Sequence, residues 1–274
     1  MSRNITLIVA LVLIGTSVGC AQTPDGSQRF APSPPTAPDE VADMALAVDR
    51  LREMAAFLAD RDRLSATAEV SFSVVQEDGQ KIEFGGSRRI WIRRPDRARI
   101  ENRARDGVTR FLYFDHGKLS AAVPEQKIYA TTDVPTQVGE AIDFVIHELE
   151  IPVPLAELLH PGFLSAGIDR ISSGFMVGEE ILEGVRCDHL AFRGEGADVQ
   201  IWIARGSAPL PRRLVISYRD EPGAPEFRAH FKRWDVDPDV PDEMFIFSPP
   251  PSATQVSFDE LLDRVPHSPG GSDD

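Results

Sequence analysis

The chain has 274 residues, 42% of them hydrophobic, and a formal net charge of −14 at pH 7. This apolar content suffices for one sizeable core, and the length suits a single domain after an N-terminal signal. A strongly acidic surface repels phosphate groups, so the charge argues against nucleic acid or an anionic membrane surface as the main partner.

Residues 1–19 have the pattern of an export signal peptide. Arg3 supplies the positive charge that precedes the apolar segment. The apolar run Ile5–Ile14 is too short to span a bilayer as a mature helix. We therefore expect these residues to direct export and then to be removed.

Cys20 directly follows small residues at the end of this signal. This arrangement resembles the lipobox of bacterial lipoproteins, which implies that Cys20 is lipidated and becomes the mature N-terminus. Ala21 stands where an Asp would imply retention at the inner membrane, so the resemblance implies an outer-membrane anchor facing the periplasm. The alternative is ordinary signal cleavage, since Ser17 and Gly19 also fit that pattern, and it would give a soluble periplasmic protein.

The segment 20–38 after the signal is predicted to be a tether. Residues 21–38 contain five prolines and little that could enter a core. Pro-rich chains extend by roughly 3.1 Å per residue, which gives a reach of about 55 Å. Residues 39–265 are predicted to form a single curved-sheet domain, and the polar residues 266–274 a disordered tail.

A long helix is predicted at the start of the domain, with Asp39 as its N-cap. Apolar residues recur three and four positions apart up to about Ala59, which is the spacing of one buried helix face. The residues with this spacing are Val41, Met44, Ala45, Val48, Leu51, Ala55 and Leu58.

The pattern then changes to the two-residue period of strands over residues 65–131. An early strand places Phe72 and Val74 on one face, and Asp78–Gly79 marks a hairpin turn. The strand Arg88–Arg93 places Ile90 and Ile92 on one face as well. Arginines are frequent here and allow two interpretations, an anion-binding rim or solvent-facing residues paired with local carboxylates. They are Arg88, Arg89, Arg93, Arg94, Arg97, Arg99, Arg103 and Arg105.

A largely apolar helical insert, Thr136–Leu159, is predicted between two β halves. The first helix of this insert ends before Pro152, and a short second helix over Leu155–Leu159 is predicted after Pro154. An insert this apolar must pack on the concave face of the sheet or cover its mouth. One face of its first helix carries Val138, Ile142, Val145, Ile146 and Leu149.

Four further strands are predicted between Gly174 and Trp234, separated by short turns. In each of the three clearest, one face is apolar and the other is mainly polar, as in an antiparallel sheet that covers a core. The apolar positions are Val199, Ile201 and Ile203, then Leu214 and Ile216, then Phe227 and Phe231. The segment Phe245–Pro250 is predicted to end the fold, with a last helix or strand reaching Leu262.

No catalytic constellation, metal-ligand spacing or cofactor-binding motif is evident in the sequence. Asp188 and His189 are adjacent on a predicted strand, so their side chains point to opposite faces and do not form part of a triad. Cys187 has no partner if Cys20 is acylated, and we expect it to be buried as a small hydrophobic residue. The expectation is that the protein is not an enzyme and uses no metal or cofactor.

Five segments together resemble an uncharacterised family of predicted periplasmic proteins, domain of unknown function 2092. They are Arg94–Arg97, Tyr113–Lys118, Gly184–Phe192, Gln200–Ile203 and Pro209–Arg212. The order of elements and the end of the domain also resemble periplasmic lipoprotein carriers and sorting proteins. That resemblance implies an incomplete antiparallel barrel with helices in its hollow, and no catalytic residue.

The predicted fold is therefore α+β: a strongly curved antiparallel sheet of about nine to eleven strands, lipoprotein-carrier-like, with a helical insert and a long N-terminal helix. The leading functional hypothesis is non-catalytic binding of an acyl chain or other apolar ligand in the hollow. The alternative is a scaffold or sensor that docks another envelope protein. The predicted lining of the hollow is Phe72, Val74, Ile90, Ile92, Ile142, Val145, Ile146, Leu149, Val199, Ile201, Ile203, Leu214, Ile216, Phe227 and Phe231.

Overall fold

A computed structural model of the chain describes residues 37–149, 155, 160, 162 and 167–264. These residues contain three α-helices: α1 (Ala37–Ala59), α2 (Val138–His147) and α3 (Phe258–Arg264). Two short 3₁₀ turns lie at Pro124–Gln126 and Asp242–Met244. The signal peptide, Cys20, nearly all of the tether, most of the predicted helix Leu155–Leu159 and the tail lie outside the described residues.

Twelve strands form one sheet within the described residues. The first six are β1 (Arg63–Val75), β2 (Lys81–Arg93), β3 (Arg97–Ala104), β4 (Thr109–Asp115), β5 (Lys118–Val123) and β6 (Ile128–Asp133). The other six are β7 (Ser173–Leu182), β8 (Val185–Arg193), β9 (Ala197–Ala204), β10 (Pro211–Tyr218), β11 (Glu226–Asp235) and β12 (Thr254–Gln255).

The sheet consists of two antiparallel meanders joined side by side. Its order is β12-β6-β5-β4-β3-β2-β1-β11-β10-β9-β8-β7, so β1 pairs with β11 at the junction. Every neighbouring pair is antiparallel except β12 and β6. The predicted fold class is confirmed: a large, curved, open antiparallel sheet with a long N-terminal helix and a second helix over the concave face.

Apolar residues alternate along the strands and place the core on the concave face. On β9, Ile201 and Ile203 lie in the main core, as the two-residue period predicts. Two glycines also allow close approach between strands: a Cβ at Gly86 would lie 2.1 Å from the carbonyl oxygen of Arg103, and one at Gly85 2.3 Å from that of Val70. Only glycine fits there, because real Cβ atoms do not come this close to a carbonyl oxygen.

α1 and α2 cover different parts of the concave face. α1 packs against β7, and its buried residues include Leu51, Met54 and Leu58. Arg50 of the same helix donates a hydrogen bond to the carbonyl oxygen of Ala204 on β9, at 2.6 Å. α2 instead lies over the β2–β5 part of the sheet, and its residues enclose a cavity there with residues of those strands.

The convex face is crossed by the segment 236–253, which we call the strap. Asp242 of the strap forms ion pairs with Arg93 on β2, at 2.6 Å, and Arg97 on β3, at 2.7 Å. Phe245 is fully buried, with the guanidinium of Arg93 over its ring. Further along, Phe247 packs against tyrosines of β4 and β6.

Two details of the prediction were wrong. The sheet has twelve strands rather than nine to eleven, because the chain returns to the β6 edge as β12. The region 173–235 holds five strands rather than four, because the turn Glu183–Gly184 divides a hairpin. The predicted last helix or strand to Leu262 is α3.

The packing of the strap predicts that two neighbouring residues contribute very differently to the free energy of unfolding. Phe245→Ala should lower the free energy of unfolding by about 3–5 kcal/mol, because it removes a fully buried ring and leaves a cavity. Ile246→Ala should cost less than about 1 kcal/mol, because Ile246 is 50% exposed. Urea unfolding of both variants measures the difference. Equal, small losses would mean that the strap does not pack on the sheet.

Candidate functional site

The candidate site is a cavity of about 40 Å³ between α2 and the concave face of the sheet. All eleven residues around it are apolar, so it has no hydrogen-bonding side chain. From the sheet they are Ile90, Ile92, Ala98, Ile100, Leu112, Phe114 and Leu119, and from α2 Val138, Ala141, Ile142 and Val145.

Strand register brings the sheet side of this cavity together. Ile90 on β2 pairs with Ile100 on β3, which pairs with Leu112 on β4. Directly opposite residues of antiparallel strands have Cβ atoms about 4.5–5.5 Å apart, so the three side chains form a contiguous row. Residues two positions along each strand point to the same face and extend the apolar floor.

α2 closes the cavity through one amphipathic face. Val138, Ala141 and Val145 are buried and recur at the three- and four-residue spacing of a helix face. The backbone N–H of Val138 donates a 2.7 Å hydrogen bond to the carbonyl oxygen of Pro95 in the β2–β3 turn. This bond fixes the N-terminal end of the helix to the sheet.

The cavity is too small for an acyl chain while α2 is in this position. Pockets for small molecules are typically ~300–1,000 Å³, well above the 40 Å³ enclosed here. A ligand in the hollow must therefore displace α2 or part of its apolar face.

The predicted lining residues divide into three groups. Ile90, Ile92, Ile142 and Val145 line the cavity. Val74 and Ile146 are half-buried and lie outside the core clusters of the described residues. The others belong to the main core or pack against it without reaching the cavity: Phe72, Leu149, Val199, Ile201, Ile203, Leu214, Ile216, Phe227 and Phe231.

Seven cavity residues were missing from the predicted lining. Ala98, Ile100 and Leu112 on β3 and β4 are examples. The alternation in their strands was a usable signal for the face on which they lie. Alternation does not show which part of the sheet the helical insert covers. The position of the insert decides which of these residues line a cavity.

The other part of the concave face holds a polar contact instead of a cavity. Nε of Arg50 lies 2.9 Å from the carboxylate of Asp188, whose other oxygen is 3.3 Å from Nε of Arg205. Asp188 is therefore engaged by two guanidinium groups. His189 points to the opposite face, where its ring stacks on Trp202 at 3.9 Å. The prediction that Asp188 and His189 point to opposite faces is confirmed.

Four of the eight arginines in the predicted cluster form ion pairs with carboxylates, among them Arg93 with Asp242 of the strap. Arg89 contacts Glu101, Arg97 lies 2.9 Å from Asp115, and Arg105 lies 3.0 Å from Glu83. Arg99 lies over the rings of three aromatic residues, Trp91, Phe111 and Tyr113. These contacts support the local-pairing interpretation for the convex face.

Within the part of the chain that the structure describes, no group of three or more His, Cys, Asp or Glu residues is arranged to hold a metal ion. No helix among the described residues is long and apolar enough to cross a membrane.

Residues 47–259 match the model of a family described as a predicted periplasmic protein, DUF2092. The chain belongs to this family. The match spans most of the described structure, from α1 to α3, and confirms the resemblance found in the sequence. No curated protein matches the chain.

Several solved structures are similar in fold. LprF from Mycobacterium bovis has a TM-score of 0.47 at 12% identity, covering 72% of this chain and 97% of its own. The Mycobacterium tuberculosis lipoprotein LppX has a TM-score of 0.43 at 13% identity, with coverages of 70% and 99%. A LolA superfamily protein from Nitrosomonas europaea has a TM-score of 0.33 at 7% identity, with coverages of 73% and 97%. These likenesses concern the fold alone.

The burial of Cys187 on β8, away from the cavity, can be tested by its reactivity. Its side chain is fully buried beside Trp202 and Val215, as predicted, and burial raises the pKa of its thiol. Because the thiolate is the reactive form, iodoacetamide should alkylate native Cys187 at least about tenfold more slowly than an exposed cysteine at pH 8. The measurement is mass spectrometry over time in the Cys20→Ser background, with Ser207→Cys in an exposed turn as the control. Equal rates at the two positions would contradict the burial of Cys187.

Proposed function

We propose that this chain is a lipid-anchored protein of the bacterial envelope that binds an acyl chain or another apolar ligand in its hollow. The observation that carries the proposal is the wholly apolar cavity beneath α2. If this core served only to stabilise the fold, filling the cavity would increase its stability, because the side chains around an empty space lose packing contacts.

α2 serves as the cover of the site. Its apolar face rests on the sheet, while Asp143 on its outer side lies 3.4 Å from Nε2 of His160. When a ligand enters, its methylene groups take the place of the α2 side chains against the sheet. Each buried CH₂ contributes about 0.8 kcal/mol, which offsets the cost of displacing the helix.

Binding proceeds without catalysis. The lining contains no nucleophilic or titratable side chain, so nothing there can attack a bond or transfer a proton. The expected role is to hold an apolar molecule away from water.

The anchor places this site near a membrane. Acylated Cys20 would fix the chain to the outer membrane facing the periplasm, and segment 20–38 would act as the tether of the domain. Ordinary cleavage, which leaves a soluble periplasmic protein, is the alternative. An anchored binding protein would accept or hold ligand at the membrane rather than shuttle across the periplasm.

A second candidate function is docking of another envelope protein. Its support is the edge strand β7, where Phe175, Val177 and Ile181 are 49%, 47% and 67% exposed. An edge strand with apolar side chains suits the addition of a strand from a partner. In that case the concave core is a scaffold and binds no lipid.

Native mass spectrometry with lipid extraction tests ligand binding. We expect the Cys20→Ser protein to purify with an apolar molecule bound, and Ala141→Leu to reduce its occupancy at least about fivefold. The added methyl groups would fill the cavity while preserving helix propensity. The matched control is Ile146→Leu, on the same helix but outside the lining, which should leave occupancy unchanged. Lipid-free wild-type protein that cannot be loaded would favour the scaffold instead.

The anchor predicts a change of compartment. Cys20→Ser should move the protein from the membrane fraction to the soluble periplasm and abolish labelling by a palmitate analogue. Its melting temperature should stay within about a degree of the wild type, because a tether makes no core contacts. Cell fractionation, in-gel detection and thermal unfolding measure these effects. An unlabelled wild type in the soluble fraction would show ordinary cleavage at this bond.

A further inference from the structure

Three polar residues lie in register beside the apolar cavity. Arg88 on β2 pairs with Asn102 on β3, which pairs with Arg110 on β4. We call these three residues the polar row. They occupy the concave face, since they lie two positions along each strand from the cavity-lining residues Ile90, Ile100 and Leu112. A spacing of two residues on one strand is about 7 Å, so the polar row directly adjoins the cavity.

Arg88 carries a charge that the described residues do not neutralise. Its Nε atom is buried without a hydrogen-bond partner, and no described residue forms an ion pair with its guanidinium. On β1 it faces the small residue Ala68, which also offers no partner. Burial lowers the pKa of Arg88 to about 10, so the guanidinium remains protonated at neutral pH.

Arg110 extends the positive charge of the polar row. Its Nε atom is also buried without a hydrogen-bond partner. Burial lowers the pKa of Arg110, against an opposing effect from the nearby carboxylates of Asp106 and Glu125. These two carboxylates therefore partly compensate the charge of Arg110, whereas no described carboxylate does so for Arg88.

Several neighbouring arginines on the convex face have the carboxylate partners that Arg88 lacks. Arg89, next in sequence but on the convex face, contacts Glu101, and Arg93 and Arg97 pair with Asp242 of the strap. A buried charge is costly unless it is paired. Arg89, Arg93 and Arg97 meet this requirement with carboxylates. The partly buried Arg88 has no such partner among the described residues, and an anion from outside them would supply one.

We propose that the polar row binds the anionic head group of an amphiphile whose alkyl chain enters the cavity beneath α2. This inference rests on the proposed function and specifies its ligand class. A planar guanidinium matches two oxygens of a carboxylate or phosphate, and Arg88 and Arg110 approach the head group from either side of Asn102. The adjoining apolar row receives the first methylene groups of the chain.

Four amphiphiles with the same ten-carbon chain test this specificity. They are decanoate, decyl phosphate, decanol and decyltrimethylammonium, titrated calorimetrically below their micelle concentrations into the full chain carrying Cys20→Ser. Decanoate or decyl phosphate should bind at least about tenfold more tightly than decanol, and decyltrimethylammonium most weakly. The stronger of the two anions identifies a carboxylate or a phosphate source.

Arg88→Gln should weaken binding of the preferred anion about tenfold or more and leave decanol binding unchanged, since hydrogen bonds to charged groups are the strong ones. The matched control is Arg89→Gln, which removes the adjacent guanidinium from the convex face and should change neither. Arg88→Gln should not lower the melting temperature of the ligand-free protein, because it removes an unpaired buried charge. A clear fall would show that Arg88 stabilises the fold and would overturn the inference.

The two proposals fail in different ways. Equal binding of decanol and the anions, unaffected by Arg88→Gln, would overturn the head-group site and leave the apolar site standing. No binding of any of the four compounds would overturn the proposed function together with the head-group site.

Discussion

The pairing of β1 with β11 is the contact on which the rest of the molecule depends. It joins Ser65–Phe72 to Phe227–Asp235, segments far apart in the chain, and turns two meanders into one sheet. Small residues face large ones across this junction: Ala68 opposes Phe231, and Val70 opposes Ala229. All four are buried, so the junction supplies the middle of the concave core as well as the backbone hydrogen bonds. Without it, each meander would have an additional open edge.

α1 and α2 both pack on the continuous concave face, but α1 makes a polar contact there and α2 an apolar one. α1 is held at the β8–β9 side by the contacts of Arg50 with Asp188 and the Ala204 carbonyl group. A buried ion pair adds little net stability, but breaking one is costly, so this contact fixes where the helix lies. α2 makes an apolar contact instead and leaves a cavity beneath it. An apolar chain can replace that kind of contact, which is why the proposed ligand site is under α2.

The arginines on the two faces of the sheet also differ in their partners. On the convex face, aromatic rings, local carboxylates and Asp242 of the strap engage the guanidinium groups. On the concave face, Arg88 and Arg110 adjoin an apolar cavity, and neither guanidinium forms an ion pair within the described residues. A site with positive charge at one end and only apolar groups at the other suits an anionic amphiphile. The negative charge of the whole chain does not oppose this, because local burial governs the interaction at such a site.

The sequence by itself determined the fold class, since the two-residue and 3.6-residue periods specify which side chains must be buried. It also indicated the burial of Cys187 and the opposed directions of Asp188 and His189, because both follow from alternation along one strand. It did not show that the hollow is divided, that α1 fills one part, or that Phe245 crosses the convex face. Nor did it show that Arg89 has a carboxylate partner and Arg88 does not. These features depend on contacts between distant segments, and local periodicity carries no information about which elements meet. Only the tertiary structure placed Arg88 beside the cavity and gave Arg93 a partner 149 residues away.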